Sequence, residues 1–302
     1  MDNGKRLAIQ FLHPGREKTE EIIIGNAGGR PCQQHGRKFV EGCGDYFADE
    51  LEEKKDQPKQ QQIMFWCEYE QQLKYDKLCG RPHIDGYPRY IQTLRPACYR
   101  QSYGEITGCI NTDPYIFGRY MLYSNCRQKR SYLLRNLLPG SVIVFGSRVN
   151  GHFCFDTVFV VSRPLCTFTR RDGREVLGKL KDEGAISENF WQATVEPLLH
   201  DDNAEDCEFV LYESATYQNR VDGMYSFFPC KLKDEIGFPR PAATAPCINH
   251  KMWTGIRTLV SNEDAKGCFN VWESLRRDVL KNGLCLGVRA EEPGERERPA
   301  GI

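Results

Sequence analysis

Ser141-Val142-Ile143-Val144-Phe145-Gly146-Ser147-Arg148-Val149-Asn150-Gly151-His152-Phe153-Cys154-Phe155-Asp156-Thr157-Val158-Phe159-Val160-Val161 is the stretch that decides the fold. Two apolar runs, Ser141 to Ser147 and His152 to Val161, flank Asn150-Gly151, a pair that accepts the positive φ angles of a two-residue hairpin turn. Leu138-Pro139-Gly140 turns the chain into the first run, and the polar turn Asn111-Thr112-Asp113-Pro114 lies upstream. The second run carries Asp156 among aromatic and β-branched neighbours. A carboxylate is costly to bury unless it is paired, so Asp156 is expected to be a structural group bonded to an arginine or to backbone N–H groups.

Working outward, the chain has 302 residues of which 40% are hydrophobic, enough to bury a sizeable core. The expected fold is mixed α+β, with a β-rich core around the central antiparallel hairpin, similar to small barrels, and a few peripheral helices. One domain over residues 1–290 is expected, with a subdivision near 180 as the alternative, and a charged, Pro/Gly-rich tail over 291–302 expected to be disordered. No apolar run approaches the roughly 20 residues of a membrane helix, and Met1 to Gln10 lacks a signal-peptide pattern. Fourteen cysteines are spread from Cys32 to Cys285 without a Cys-x-x-Cys pair, and no Asn-x-Ser/Thr sequon occurs. Reduced thiols, a cytoplasmic location and no membrane partner follow as expectations; no cofactor or metal follows from these residues.

The net charge is zero but unevenly distributed. Residues 77–179 carry 16 Lys/Arg against 6 Asp/Glu, while both flanking thirds are acidic. That excess is interleaved with tyrosines from Tyr87 to Tyr132, as expected of a face that binds a polyanion and stacks bases. Arg127, Lys129 and Arg130 are its densest cluster. The alternative is that the acidic ends fold over the basic middle and neutralise it.

Along the chain, Leu7 to Leu12 reads as a strand ending at His13-Pro14-Gly15. Arg16 and Glu17 follow, and His35-Gly36-Arg37-Lys38-Phe39-Val40 adds a second histidine and two adjacent cations. Gly25 to Gly29 and Gly42-Cys43-Gly44 match neither a phosphate loop nor a dinucleotide fingerprint. Leu51 to Gln62 reads as an exposed loop. Ile63 to Glu70 reads as a strand with Phe65, Cys67 and Tyr69 on one face and Met64, Trp66, Glu68 and Glu70 on the other, placing two carboxylates side by side. Gly80 to Pro96 reads as a surface excursion, Ser131 to Leu138 and Asn189 to Leu199 as helices, and Glu208 to Glu213 and Met224 to Phe228 as strands. A last helix is expected over Val271 to Lys281, capped by Asn270 and stopped at Asn282-Gly283.

The segments His13-Pro14-Gly15, His35 to Phe39, Phe65 to Glu70, Asn111 to Gly118, Tyr123-Ser124-Asn125-Cys126 and Pro139 to Val161 cover about the first half of the chain. Together they resemble a group of bacterial nucleotide-modification-associated or defence-associated domain proteins. The resemblance implies an intracellular protein acting on nucleic acid or nucleotides, in base modification or phage defence. The resemblance itself carries over no catalytic residues; from residue chemistry, His13 or His35 is expected to serve as acid or base, Asp113 or Glu68 to orient water or a metal, and Glu17 to add a carboxylate to the site. Arg16, Arg37, Lys38, Arg127, Lys129 and Arg130 are expected to neutralise phosphate. Two alternatives stand beside it: a non-catalytic reader of a modified base or nucleotide, and a structural subunit of a larger complex.

Overall fold

The computed structural model describes residues 5–13, 15, 17, 36–71, 73–77, 86–99, 111–200, 207–260 and 264–294. Within them lie twelve strands: β1 (Ala8–Leu12), β2 (Lys38–Phe47), β3 (Lys59–Cys67), β4 (Leu73–Lys77), β5 (Tyr90–Leu94), β6 (Leu122–Tyr123), β7 (Val142–Val149), β8 (His152–Phe168), β9 (Phe209–Ser214), β10 (Phe228–Leu232), β11 (Gly255–Val260) and β12 (Cys285–Ala290). They form two six-stranded sheets, ordered β11-β1-β7-β8-β9-β6 and β12-β10-β3-β2-β5-β4. The fold is mixed α+β and β-rich, as the sequence predicts.

The hairpin β7–β8 is the middle of the first sheet. Asn150 and Gly151 take φ of 48° and 84°, the left-handed conformations that a type I′ turn requires. Ile143 and Phe145 join one core with Ile9, Phe11 and Phe159, while Val142, Val144, Phe155, Val158 and Val160 join a second core with Ala8 and Leu12. Both faces are therefore packed, which is why the hairpin reads as nearly continuous apolar sequence. Replacing Phe155 by Ala is expected to cost about 3–5 kcal/mol in urea unfolding. A loss below about 1 kcal/mol would mean that this face is not core.

One irregularity in the hairpin places a functional group. Phe145 pairs with Thr157 and Gly146 with Phe155, so Asp156 is the extra residue of a β-bulge on β8. Bulges re-aim a side chain out of the strand's alternation. Opposite the bulge the strands approach so closely that a Cβ on Gly146 would lie 2.3 Å from the Cys154 carbonyl oxygen. Only glycine fits there.

The closed barrel is in the other sheet. β2 pairs with β3, β3 with β10, β10 with β12, and β12 back with β2, closing a four-stranded ring. β2 pairs with β3 along one edge; on the other it meets β5 at Val40 and Glu41, then β12 from Gly44 to Phe47. The period-2 reading of β3 holds: Phe65, Cys67 and Tyr69 face one core, Met64 and Trp66 the other.

Several local expectations are corrected. Leu51 to Gln62 is not a loop: a short helix, α1 (Glu50–Lys54), is capped by the Asp49 carboxylate, and Lys59 to Gln62 form the exposed half of β3, ordered by pairing with β2. The excursion from Gly80 to Pro96 contains β5, paired with β2 and β4. Residues 173–182 form a helix α2 (Gly173–Asp182), and Asn189 to Leu199 lies in a helix α3 that runs from Glu188–Phe190 through a π-turn, Trp191–Val195, into Glu196–Leu199. The last helix, α4 (Ala265–Lys281), starts six residues earlier than expected, because Asp264 rather than Asn270 caps it by accepting the Gly267 N–H. Its stop is as expected, with Gly283 left-handed. Of the segment expected to be disordered, Glu291 donates its N–H to the Cys43 carbonyl at 2.8 Å and Glu292 accepts from the Tyr115 hydroxyl at 3.1 Å; residues 295–302 lie outside the described set. Among the described residues no helix is long and apolar enough to cross a membrane.

Candidate functional site

The parallel pairing of β1 with β7 brings the end of β1 to the bulge. His13, the next residue, donates its N–H to the Gly146 carbonyl at 2.8 Å, and its ring packs edge-on against Phe11 and Phe145. The pairing of Lys38 with Cys67 in β2–β3 sets Arg37 and Glu68 side by side just beyond the strand ends. Glu68 Oε2 then receives His13 Nδ1 at 2.6 Å and Arg37 Nη1 at 2.7 Å. Arg37 Nε lies 2.9 Å from Asp156 Oδ2 as an ion contact outside hydrogen-bonding angles, and Arg240 Nη1 lies 3.8 Å from the same oxygen. Arg240 stacks over Trp66 and donates to the Ser147 hydroxyl and the Gly15 carbonyl.

These five charged or titratable groups form one buried series: His13, Glu68, Arg37, Asp156, Arg240. Burial opposes the charge on His13, Arg37, Asp156 and Arg240. For Arg37 the neighbouring Asp156 and Glu68 outweigh burial and hold its pKa above the ordinary value. Burial pulls Arg240 down to about 10 against the attraction of Asp156, leaving it cationic at neutral pH. It raises the Asp156 carboxyl, with Arg37 and Arg240 opposing. His13 is lowered, chiefly by burial and further by Arg37, although Glu68 pulls the other way. A neutral imidazole bonded to a carboxylate through Nδ1 presents Nε2 as an acceptor.

What faces Nε2 is a thiol. Cys126 Sγ lies 3.5 Å from His13 Nε2. Cys126 stands in the turn after β6, and the buried Asp113 carboxylate sets its position by accepting three successive N–H groups: Ser124 at 2.9 Å, Asn125 at 2.8 Å and Cys126 at 2.5 Å. Burial pushes the Asp113 carboxyl up to about 7, against those donors, which favour its anion. Asn111 bonds the Asn125 side chain, and the Gln128 amide bonds both the N–H and the carbonyl of Val210, fixing the turn on its far side. Thiol, imidazole and carboxylate thus stand in the contact order that a nucleophile, its base and an orienting group require.

Of these residues His13 lines a cleft of about 500 Å³, whose wall also includes Gly15, Arg127, Arg148, Trp253 and Thr254. Arg127 has a left-handed backbone, φ 61°, and donates to the Thr254 hydroxyl at 2.9 Å. Arg148 lies over the Trp253 ring, 3.9 Å from its centroid.

Of the residues nominated from sequence, His13 and Glu68 are in direct contact, and Asp113 joins them through the Cys126 turn. Arg127 lines the cleft. Arg37 and Lys38 are corrected: at 1% and 0% exposure they are not surface phosphate donors, since Arg37 is held by Glu68 and Asp156 and Lys38 is paired with Glu70. Glu68 and Glu70, side by side in the sequence reading, each have their own cation, Arg37 and Lys38. Glu17 stands at the margin of the buried series: its backbone bridges Arg37 and its carboxylate feels the charge of Arg240, but it accepts the backbone N–H groups of Arg89 and Tyr90 rather than contacting His13 or Glu68. Lys129 and Arg130 lie on the 3-10 turn after Arg127, outside the cleft wall. Arg16 and His35 lie outside the described residues. Cys126, Arg148, Arg240 and Trp253 were not nominated. A cysteine with a distant histidine is a recognisable nucleophile signal, but fourteen thiols dilute it.

Asp156 meets the expectation of an arginine partner. Among the described residues, no group of three His, Cys, Asp or Glu side chains is disposed to hold a metal ion. No family model, curated relative or solved structure matches the chain.

Proposed function

We propose that this chain is a thiol-dependent enzyme acting on nucleic acid or a nucleotide, of the kind used in base modification or defence against phage. The observation that carries the proposal is the contact series Cys126 Sγ, His13 Nε2, His13 Nδ1, Glu68 Oε2, whose central residue, His13, lines a cleft. In the reaction the Cys126 S–H proton passes to His13 Nε2 while the sulfur forms a bond to an electrophilic carbon of the substrate. The bond from that carbon to its leaving group breaks, and the group departs with the proton that His13 gives back; a water deprotonated by His13 then displaces the sulfur, and that proton returns to Cys126. Glu68 stabilises the imidazolium in between, and Arg37 holds Glu68 in place. The substrate class is supported by the cationic excess of residues 77–179 and by Arg127 and Arg148 in the cleft wall.

The test is turnover of a panel of nucleotides, nucleosides and short oligonucleotides, followed by mass spectrometry. The wild type is expected to give a product whose formation falls by about 10³-fold or more in Cys126→Ser. Product formed equally well by that variant would sink the thiol mechanism. A second reading, a non-catalytic reader, is favoured by the arginine and tryptophan lining; it requires binding without product from either protein.

A further inference from the structure

We infer that the cleft beside His13 receives one nucleotide unit, its phosphate against Arg127 and Arg148 and its base on the open face of Trp253. The inference deepens the thiol-enzyme reading, on which it rests for the position of the reacting carbon. Its own support is independent. Arg148 Nε and Nη1 are shielded from solvent and have no hydrogen-bond partner among the described residues, although guanidinium N–H groups are strong donors. The same guanidinium covers one face of Trp253, whose side chain is nevertheless 80% exposed. An indole held by an arginine on one side and open on the other is a stacking platform.

Arg127 brings a second guanidinium to the same wall through a backbone conformation that a non-glycine residue rarely adopts, anchored by Thr254, the neighbour of Trp253. The described lining, from Leu12 to Thr254, contains these two arginines and no Asp or Glu. Two other clefts differ: in one, Glu183, Glu213 and Glu292 offset Arg119, Arg163 and Arg289, and in another Glu188 and Glu196 outnumber Arg174. An anion is therefore favoured at the His13 cleft over either of them. Its volume, about 500 Å³, suits a single nucleotide, and a base can stack on Trp253 only when it is not paired within a duplex. A free mononucleotide and a nucleotide in a single strand present the same chemistry.

The experiment uses the full chain carrying Cys126→Ser, so that nothing is turned over. Calorimetric titrations are made with the nucleoside 5′-monophosphates, the matching nucleosides and a five-residue single-stranded oligonucleotide. Mononucleotides are expected to bind, nucleosides to bind at least about 10-fold more weakly, and Arg148→Met and Trp253→Ala each to weaken nucleotide binding by about 10-fold. Binding of the oligonucleotide alone, with the same sensitivity to both substitutions, also supports the inference and assigns the unit to a strand. Nucleic-acid binding indifferent to both substitutions overturns it, as do nucleosides binding as tightly as nucleotides, or no binding at all. The thiol mechanism is judged separately, by whether His13 controls the reactivity of Cys126. A failed subsite and a failed mechanism are therefore distinguishable.

Discussion

Arg37→Met is expected to destabilise the protein by about 3–5 kcal/mol, because Glu68 and Asp156 would both lose the cation that neutralises them below the surface. Methionine fills much of the volume, so the loss is electrostatic rather than a cavity effect. In thermal unfolding this is a fall on the order of 10 °C. Removing one of the stranded carboxylates should return part of it: Arg37→Met combined with Asp156→Leu is expected to be more stable than the sum of the two single changes. Denaturant midpoints for the three variants test this, and a loss below about 1 kcal/mol for Arg37→Met would show that the buried series does not bear on folding.

His13→Gln is expected to slow alkylation of Cys126 by about 10²-fold or more, the contribution of a positioned base. The pH dependence follows from the direction of the His13 shift. Its folded pKa is depressed below the ordinary 6.5, chiefly by burial. The unfolded chain therefore takes up the proton first as pH falls. The stability that His13 contributes is fully present above 6.5 and is lost as pH falls through the folded value. Asp113 has the opposite sign: with its carboxyl raised to about 7 from 3.8, its contribution is present below 3.8 and is lost as pH rises through 7. The two windows overlap, so the difference between wild type and His13→Gln across pH 4 to 8 is the quantity to measure. That difference should shrink toward low pH; a constant difference would mean that the buried imidazole does not titrate with folding.

The strands were legible where one physical pattern dominates. Asn150-Gly151 between two apolar runs leaves little choice but a hairpin, and Ile63 to Cys67 keeps its alternation because β3 lies between two cores. The bulge was not legible, since the pairing of Phe145 with Thr157 and Gly146 with Phe155 depends on two strands together. Lys59 to Gln62 was misread because its polar residues form a strand only when β2 pairs with them. For the site, residue chemistry pointed to His13, Glu68 and Asp113, but not to their partners. Arg37 and Lys38 show the reason. In the sequence they are two exposed-looking cations after a histidine; in the fold, β2–β3 pairing lays them against Glu68 and Glu70, and their charge is used internally. Cys126 gained its place from Asp113, through three hydrogen bonds that link an upstream turn to its own.

The central claim is that His13 stands between Glu68 and Cys126 as a neutral base, with its proton on Nδ1 and its lone pair on Nε2. Nitrogen-15 chemical shifts of the imidazole rings in uniformly labelled protein at pH 7, with His13 assigned by comparison with His13→Gln, read this directly. The account predicts a protonated Nδ1 and an unprotonated Nε2 for His13. A proton on Nε2, whether in the other tautomer or in a doubly protonated ring, would contradict it.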